Sequence, residues 1–539
     1  MFKRPRLLGF PHRSVGPVAA LLLLVSVPGT AQDAADRFPL YAAGLGPLTR
    51  PVTTANDEAQ AYFRQGLQLM YAFATTEGRR SFEEASRADP RCAMCAWGEA
   101  WGWGPYLNGP MLTENEPAAN EAAERAWRLA QAPDATTAVE RALIEAMRVR
   151  YAATPDEARE GRRERDEAWA QAMADVYAAF PADLEVGTLY GEALMLLEPR
   201  RGTWPLDKPS VQDIHRTLEE VLARDLSHPG ACHLYIHATE STPNAHLAEP
   251  CADLLGQAIP GASHINHMPS HTYNRIGRWS DAVRANQQAW HSDQKAEIGE
   301  GFAIYPSHNL HMLLFAASMD GQSAVAIQAG KDYGALVPGG QFYHALALMR
   351  FGRFDEVLEL TNAPEDPVFE GLWTFARGMA HLRMGQADRA AVDRARLEGL
   401  ITAEPDAQFR GHGIDALLGV AGGILDGLLH RANGNLEQAR AALEAAVALE
   451  DALRYDEPEP LNFSARHWLG DLLLEMEQPS EAEAVFRAAL EDHPRNGWSL
   501  IGLESALRAQ GRNGEAQLVR RDFESSWSDA DVWIRRAVY

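Results

Sequence analysis

The sequence predicts an all-α protein built as an array of antiparallel helix pairs, and three observations carry that expectation. From Asp57 onward Leu, Ala, Glu, Arg and Gln dominate, apolar residues recur at three- and four-residue steps, and alternating strand patterns are scarce. A turn signature, Gly-x-x-x-x-Ala (or Val), recurs at Gly277–Ala282, Gly321–Ala326, Gly352–Val357, Gly385–Ala390, Gly434–Ala439 and Gly511–Ala516. Its glycine ends one helix, and its small residue lets the next helix lie close. Near the C-terminus the period is 34 residues: Leu469 and Leu503 are that far apart, as are Ala482 and Ala516.

At the N-terminus Lys3, Arg4, Arg6 and Arg13 precede the apolar run Val18–Val25 and the small residues Gly29-Thr30-Ala31. That order is expected of a secretory signal peptide spanning residues 1–31. The run is too short to cross a bilayer, and no later stretch is long enough to do so. The mature chain is therefore expected to be exported, in the periplasm or outside the cell. Removing these four positive charges takes the formal net charge from −24 to −28. So acidic a chain argues against nucleic acid or anionic membrane as a main partner.

Residues 32–56 are polar and rich in Pro, Gly and Ala, and read as an extended lead-in. Residues 57–226 read as divergent helical repeats, with helix pairs expected at 57–89, 92–104 with 118–132, 137–151 with 161–179, and 185–197 with 211–224. Residues 227–335 form a His-rich group of repeats, and 336–539 a final set. Within the last set Leu469-Gly470, Ala482, Phe486, Ala489 and Pro494 stand where the tetratricopeptide repeat has its Leu-Gly, Ala, Phe, Ala and Pro. From Gly277 to Asp522 the chain resembles the tetratricopeptide-repeat family. The resemblance implies a right-handed superhelical solenoid whose first helices line a concave surface, where such arrays commonly hold a peptide or partner protein. The order CAMCAWGEAW…GPYLN, HPGACHLYIHATE, HMPSHTY and HNLH also resembles a set of uncharacterised exported bacterial repeat proteins with HxxxH motifs, and that likeness brings no activity with it.

Ten of the chain's 18 histidines fall between His228 and His311, where even scattering would place about three. At 100° per residue His233, His237 and Glu240 sit at about 0°, 40° and −20°, one helical stripe. His264, His267 and His271 form a second stripe, and His308 and His311 share a third. Three first helices that each offer imidazoles on one face could enclose a transition-metal ion, with Glu240 a further ligand or an orienting neighbour. Imidazoles with one carboxylate suit zinc, copper, iron or nickel, copper or zinc foremost, and disfavour calcium or magnesium. The competing expectation is a polar inner wall in which each ring is satisfied by its own neighbour. His228, His246 and His291 read as caps or exposed residues. Asn266, Tyr273, Asn309, Tyr235 and Tyr305 are expected hydrogen-bonding neighbours.

Cys92, Cys95, Cys232 and Cys251 read first as two disulfides, 92–95 and 232–251, the second facing across a hairpin that turns at Ser241-Thr242-Pro243. A redox CxxC and thiolate ligation remain the alternatives. Trp101 and Trp103 could floor a pocket beside the histidines, as could Tyr273 and Tyr305, although tryptophans so placed are more often core. The stretch Ser292–Pro306 is longer than a repeat turn needs and could form a lid or binding loop. The zinc-protease pattern HExxH is absent, because Leu234 follows His233 and Ile265 follows His264. Phosphate-cradling glycine loops and the G-x-S-x-G elbow are absent as well. Two function classes therefore stand: a metal-binding repeat protein that could be a metal-dependent enzyme, and an envelope scaffold that binds a peptide or protein without catalysis.

Overall fold

Helix follows helix along the chain, and sequence neighbours pack as antiparallel pairs. The computed structural model describes residues 37–199 and 203–539, so the expected signal peptide lies outside the described residues. Leu40–Tyr539 forms one unit. Its N-terminal lead-in is extended and held by glutamines of the first helix, Asp57–Tyr71: Gln65 Oε1 accepts from Tyr41 N (2.8 Å), and Gln68 Oε1 accepts from Gly46 N (2.6 Å).

Pairs such as Pro306–Asp320 with Ser323–Leu336, Ile414–Ala432 with Leu436–Asp451, and Gly497–Ala509 with Asn513–Ser526 repeat one packing arrangement. All six signature glycines adopt positive φ, from 70° to 76°, and each ends or closely follows the first helix of its pair. The small residues that follow are buried: Ala282, Ala326, Val357, Ala390, Ala439 and Ala516 are each 0% exposed. In the pair Ala465–Glu475 with Pro479–Asp492, the Phe486 ring fills the space that side chains at Gly470 and Gly502 would need. A Cβ at those glycines would lie 2.4 and 2.3 Å from the ring. Burying a phenylalanine against two glycines locks three consecutive helices together. The fold class is thus all-α, a solenoid of tetratricopeptide-like helix pairs. The described strands are the two-residue pieces Gln408–Phe409 and His412–Gly413, which pair at one interhelical turn.

Two apolar cores stabilise the array. One is built by residues 52–193 and includes Trp97, Trp101 and Trp169; the other runs from Leu69 to Ala537. Trp101 packs among Tyr71, Phe82 and Trp97 in the first core, while Trp103 lies under the Arg79 guanidinium at 3.9 Å. Disulfides join Cys92 to Cys95 and Cys232 to Cys251, each buried. No helix among the described residues is long and apolar enough to cross a membrane.

Two segments depart from the repeat pattern, and both matter to the histidines. The helix Trp279–Ala296 absorbs the start of the expected insertion, leaving 297–305 as the loop. This loop is pinned along residues 261–263, with Phe302 N donating to Gly261 O (2.7 Å) and Ser263 N to Phe302 O (3.1 Å). Between the helices Leu436–Asp451 and Ala465–Glu475, residues 452–464 run as an extended strap across the array. Tyr343 Oη donates to Pro460 O (3.1 Å) and Asn462 Nδ2 to Ser318 Oγ (3.0 Å), so the strap touches helices more than 100 residues away.

Candidate metal centre

Three successive first helices carry the histidines inward. Pro229–Glu240 begins on a His228 cap, whose Nδ1 accepts from Ala231 N (3.1 Å), with Pro229 at its first position. The second element is interrupted after one turn, running Ser263–His267 and then Pro269–Ile276, with Met268 between. The third, Pro306–Asp320, opens at Tyr305, whose φ is 57°.

Six imidazoles meet in two triads. His233, His237 and His264 offer ligand atoms that lie within 4.8 Å of one another, and so do those of His267, His271 and His308. His233, His264 and His267 are at most 1% exposed, and His308 is half-buried. Each triad takes an i, i+4 pair, His233 and His237 from one helix and His267 and His271 across the break at Met268, and its third ring from elsewhere. His264 leaves its own helix's pair to join the preceding triad, and His308 crosses from the following helix. His237 and His271 stand 5.5 Å apart between ring centres, and His264 and His267 5.6 Å, so the triads are neighbours.

The Nδ1 side of four rings is held by acceptors. His233 Nδ1 donates to Tyr71 O (2.7 Å), and His237 Nδ1 to Glu240 Oε1 (2.6 Å). Asn286 Nδ2 donates to Ala282 O (2.8 Å), which leaves its Oδ1 to accept from His267 Nδ1 (2.8 Å). His271 Nδ1 donates to Glu240 Oε2 and forms an ion-pair contact with Glu457 Oε2 at 2.8 Å. Glu240 thereby binds one ring of each triad, and Tyr455 Oη donates to the same Oε2 (3.2 Å). With their Nδ1–H groups so engaged, these rings present Nε2 to the interior.

Inside, the Nε2 atoms crowd. His267 Nε2 and His271 Nε2 are 2.7 Å apart, and His233 Nε2 and His264 Nε2 are 3.1 Å apart. Burial, with the neighbouring rings, holds His233, His264, His267 and His308 well below the ordinary histidine range, so these rings are neutral at pH 7. Burial also works against charge on His271, but the Glu240 and Glu457 carboxylates outweigh it and push the ring up to about 10. Glu240 is buried too, yet His271 and His237 hold it well below the carboxylate norm.

An aromatic shell covers the imidazoles. The Phe73 ring lies 4.2 Å from His233, 5.4 Å from His264 and 6.0 Å from His237 between centroids. Tyr305 meets His264 edge-on at 5.1 Å, and its Oη shares a 2.7 Å hydrogen bond with Tyr106 Oη. A narrow crevice lined in part by Glu240, His271, Arg275, Trp279, Tyr455 and Glu457 opens beside the second triad.

Not every residue singled out from the sequence is here. His311 stands apart, its Nε2 bonded to Tyr343 Oη (2.6 Å). Glu240 orients rings through their Nδ1 atoms, and with His237 and Glu457 it also forms a third set of possible ligand atoms within 4.8 Å of one another. Trp101 and Trp103 lie in the packing described above, away from the imidazoles. Tyr273 donates to Asp253 Oδ1 (2.9 Å) beneath Arg278, and Tyr235 to Glu219 Oε1 (2.7 Å). Asn266 bonds Gly256 O and Ser292, and Asn309 bonds Asp293 and Ile304 O. His246 and His291 are exposed. Sequence reasoning missed Tyr71, Phe73, Tyr106, Asn286 and Glu457. Of these, only Asn286, one turn along from Ala282 on the helix that follows the second stripe, carries a periodic signal that could have located it.

Comparison with known proteins adds one repeat. Residues 463–491 match the tetratricopeptide repeat family model. Among solved structures the chain is similar to the APC/C hetero-tetramer Cut9–Hcn1, at 12% identity over 87% of this chain and 74% of that one, with a TM-score of 0.28. It is also similar to the human IFIT1 dimer with m7Gppp-AAAA, at 11% identity over 89% and 92% of the two chains, with a TM-score of 0.30. The P58(IPK) TPR domain shares 10% identity over 84% and 98%, with a TM-score of 0.23. A search of curated proteins finds no match.

Proposed function

We propose that this tetratricopeptide-repeat chain is an exported transition-metal protein whose centre is formed by the imidazoles of His233, His237, His264, His267, His271 and His308. The observation that carries the proposal is the convergence of six imidazoles in two triads, the ligand atoms of each lying within 4.8 Å of one another. Asn286 Oδ1 and the two carboxylates can only accept, so the Nδ1 atoms of His267 and His271 must donate. The Glu240 and Glu457 carboxylates keep His271 protonated, so its Nε2 donates to the lone pair of neutral His267 Nε2 across 2.7 Å, a proton standing where a metal cation could replace it. A polar wall in which each imidazole is satisfied by its own partner would leave no buried ring nitrogen without one, yet His237 Nε2 and His264 Nδ1 have no hydrogen-bond partner among the described residues.

Nitrogen donors throughout, with carboxylates in supporting roles, favour copper or zinc. Three imidazoles around an ion leave it a coordination position for water or substrate, so the same centre suits a metal-dependent enzyme. Export is supported by the two buried disulfides, which persist in oxidising compartments. The repeat at 463–491 also favours a second role, the binding of a peptide or protein on the array, and that role is compatible with a metal centre.

The test is the metal content of the purified full chain after loading with copper or zinc and removal of excess. Wild-type protein should retain metal through gel filtration, whereas His267→Ala with His271→Ala should lose it from the second triad. His311→Asn, outside the cluster, should retain metal as wild type does. A wild-type chain that holds none under these conditions would remove the proposal and leave the peptide-binding role.

A further inference from the structure

We infer that the centre holds two ions side by side, one in each triad, coupled through Glu240. This rests on the metal-binding role proposed above and goes beyond it in number and arrangement. The two triads share no residue, and each is complete in itself, with three imidazoles whose ligand atoms lie within 4.8 Å of one another. Nitrogens bound to one zinc at 2.0–2.1 Å stand about 3.3–3.6 Å apart, a spacing each triad reaches by small ring rotations.

Each triad also bears its own mark of an expected cation. In the second it is the close approach of His267 Nε2 and His271 Nε2, 2.7 Å apart. In the first it is His237, whose Nδ1 is committed to Glu240 while its Nε2 is buried and has no hydrogen-bond partner among the described residues. That nitrogen is an acceptor aimed into a space walled by His233, His264 and Phe73. An orphaned buried acceptor is destabilising, and one ion at the second triad would leave this cost in place. A second ion would remove it.

Glu240 supplies the link. Its Oε1 accepts from His237 and its Oε2 from His271, so one carboxylate fixes a ring of each triad. The rings that face across the boundary, His237 to His271 and His264 to His267, have centroids 5.5 and 5.6 Å apart. Ions held in the two triads would therefore be neighbours.

The experiment is a titration of the metal-free full chain with copper(II), read by bound copper per chain and by electron paramagnetic resonance. Wild type should bind two ions per chain, with a spin signal well below that of two isolated ions because neighbouring copper(II) ions couple. His308→Gln should bind one ion and show one full isolated signal, and so should His237→Gln; the two together should bind none. Circular dichroism checks that each variant is folded, and His233→Gln replaces His237→Gln should the latter unfold. One ion per chain in wild type, lost in both single variants, would overturn the two-ion arrangement while leaving the metal role intact. No bound copper at all would overturn both.

Discussion

At the scale of single residues the centre depends on what stands behind each imidazole. A histidine ligand is useful only when its other nitrogen is held, because the held nitrogen fixes both tautomer and ring plane. Tyr71 O, Asn286 and Glu240 do this for four rings, and Glu240 does it twice. Gln at this position has one acceptor oxygen where the carboxylate has two, so one of His237 and His271 would lose its acceptor. Glu240→Gln should therefore weaken metal binding by about 10–100-fold while the fold persists, measured by competition with a chelator of known affinity. Unchanged affinity would mean that Glu240 does not orient the rings.

Residue-scale reading of the sequence went furthest where spacing along one helix was enough. The i, i+4 pairs His233/His237 and His267/His271 fall on one face because four residues turn about 400°, only about 40° past a full turn, and the structure brings both pairs to the cluster. Partition was not legible. Only the interruption at Met268-Pro269 and the packing of helices decide that His264 joins the first pair and His308 the second. His311 lay on the same calculated stripe as His308, but one turn deeper it reaches Tyr343 instead.

At the scale of elements the helix pairs were plain in the sequence, since the glycine turn signature marks the ends of helices directly. The same glycines yield a comparison. Gly321 has φ 75°, and a Cβ there would lie 2.3 Å from the Trp527 ring; Gly385 has φ 74° and open space around it. Alanine at either position carries the left-handed penalty of about 1 kcal/mol, but only at Gly321 does overpacking of about 1–3 kcal/mol add to it. Gly321→Ala should therefore lower the unfolding midpoint in urea clearly more than Gly385→Ala. Equal losses would indicate that the Trp527 contact yields without cost. What the element-level reading could not supply was the strap at 452–464. Its Tyr455 and Glu457 obey no helical period, and nothing local ties them to Glu240 and His271, 215 and 186 positions earlier. Glu457 was invisible for that reason, as was Phe73, placed by a tight turn at φ 60°.

At the scale of the whole unit the centre lies where three distant parts of the chain meet. Tyr71 and Phe73 come from the end of the first helix, six histidines and Glu240 from the middle, and Tyr455 and Glu457 from the strap. The repeat array thus does more than present a surface: stacking of pairs sets the spacing between histidine stripes, and the strap closes over them. X-ray absorption at the edge of the bound metal, on the copper- or zinc-loaded full chain, reads the resulting ligand shell most directly. The account predicts a first shell of about three nitrogens near 2.0 Å per ion, with the outer-shell scattering that imidazole rings produce. A shell of oxygens, or of sulfur from opened cystines, would contradict it.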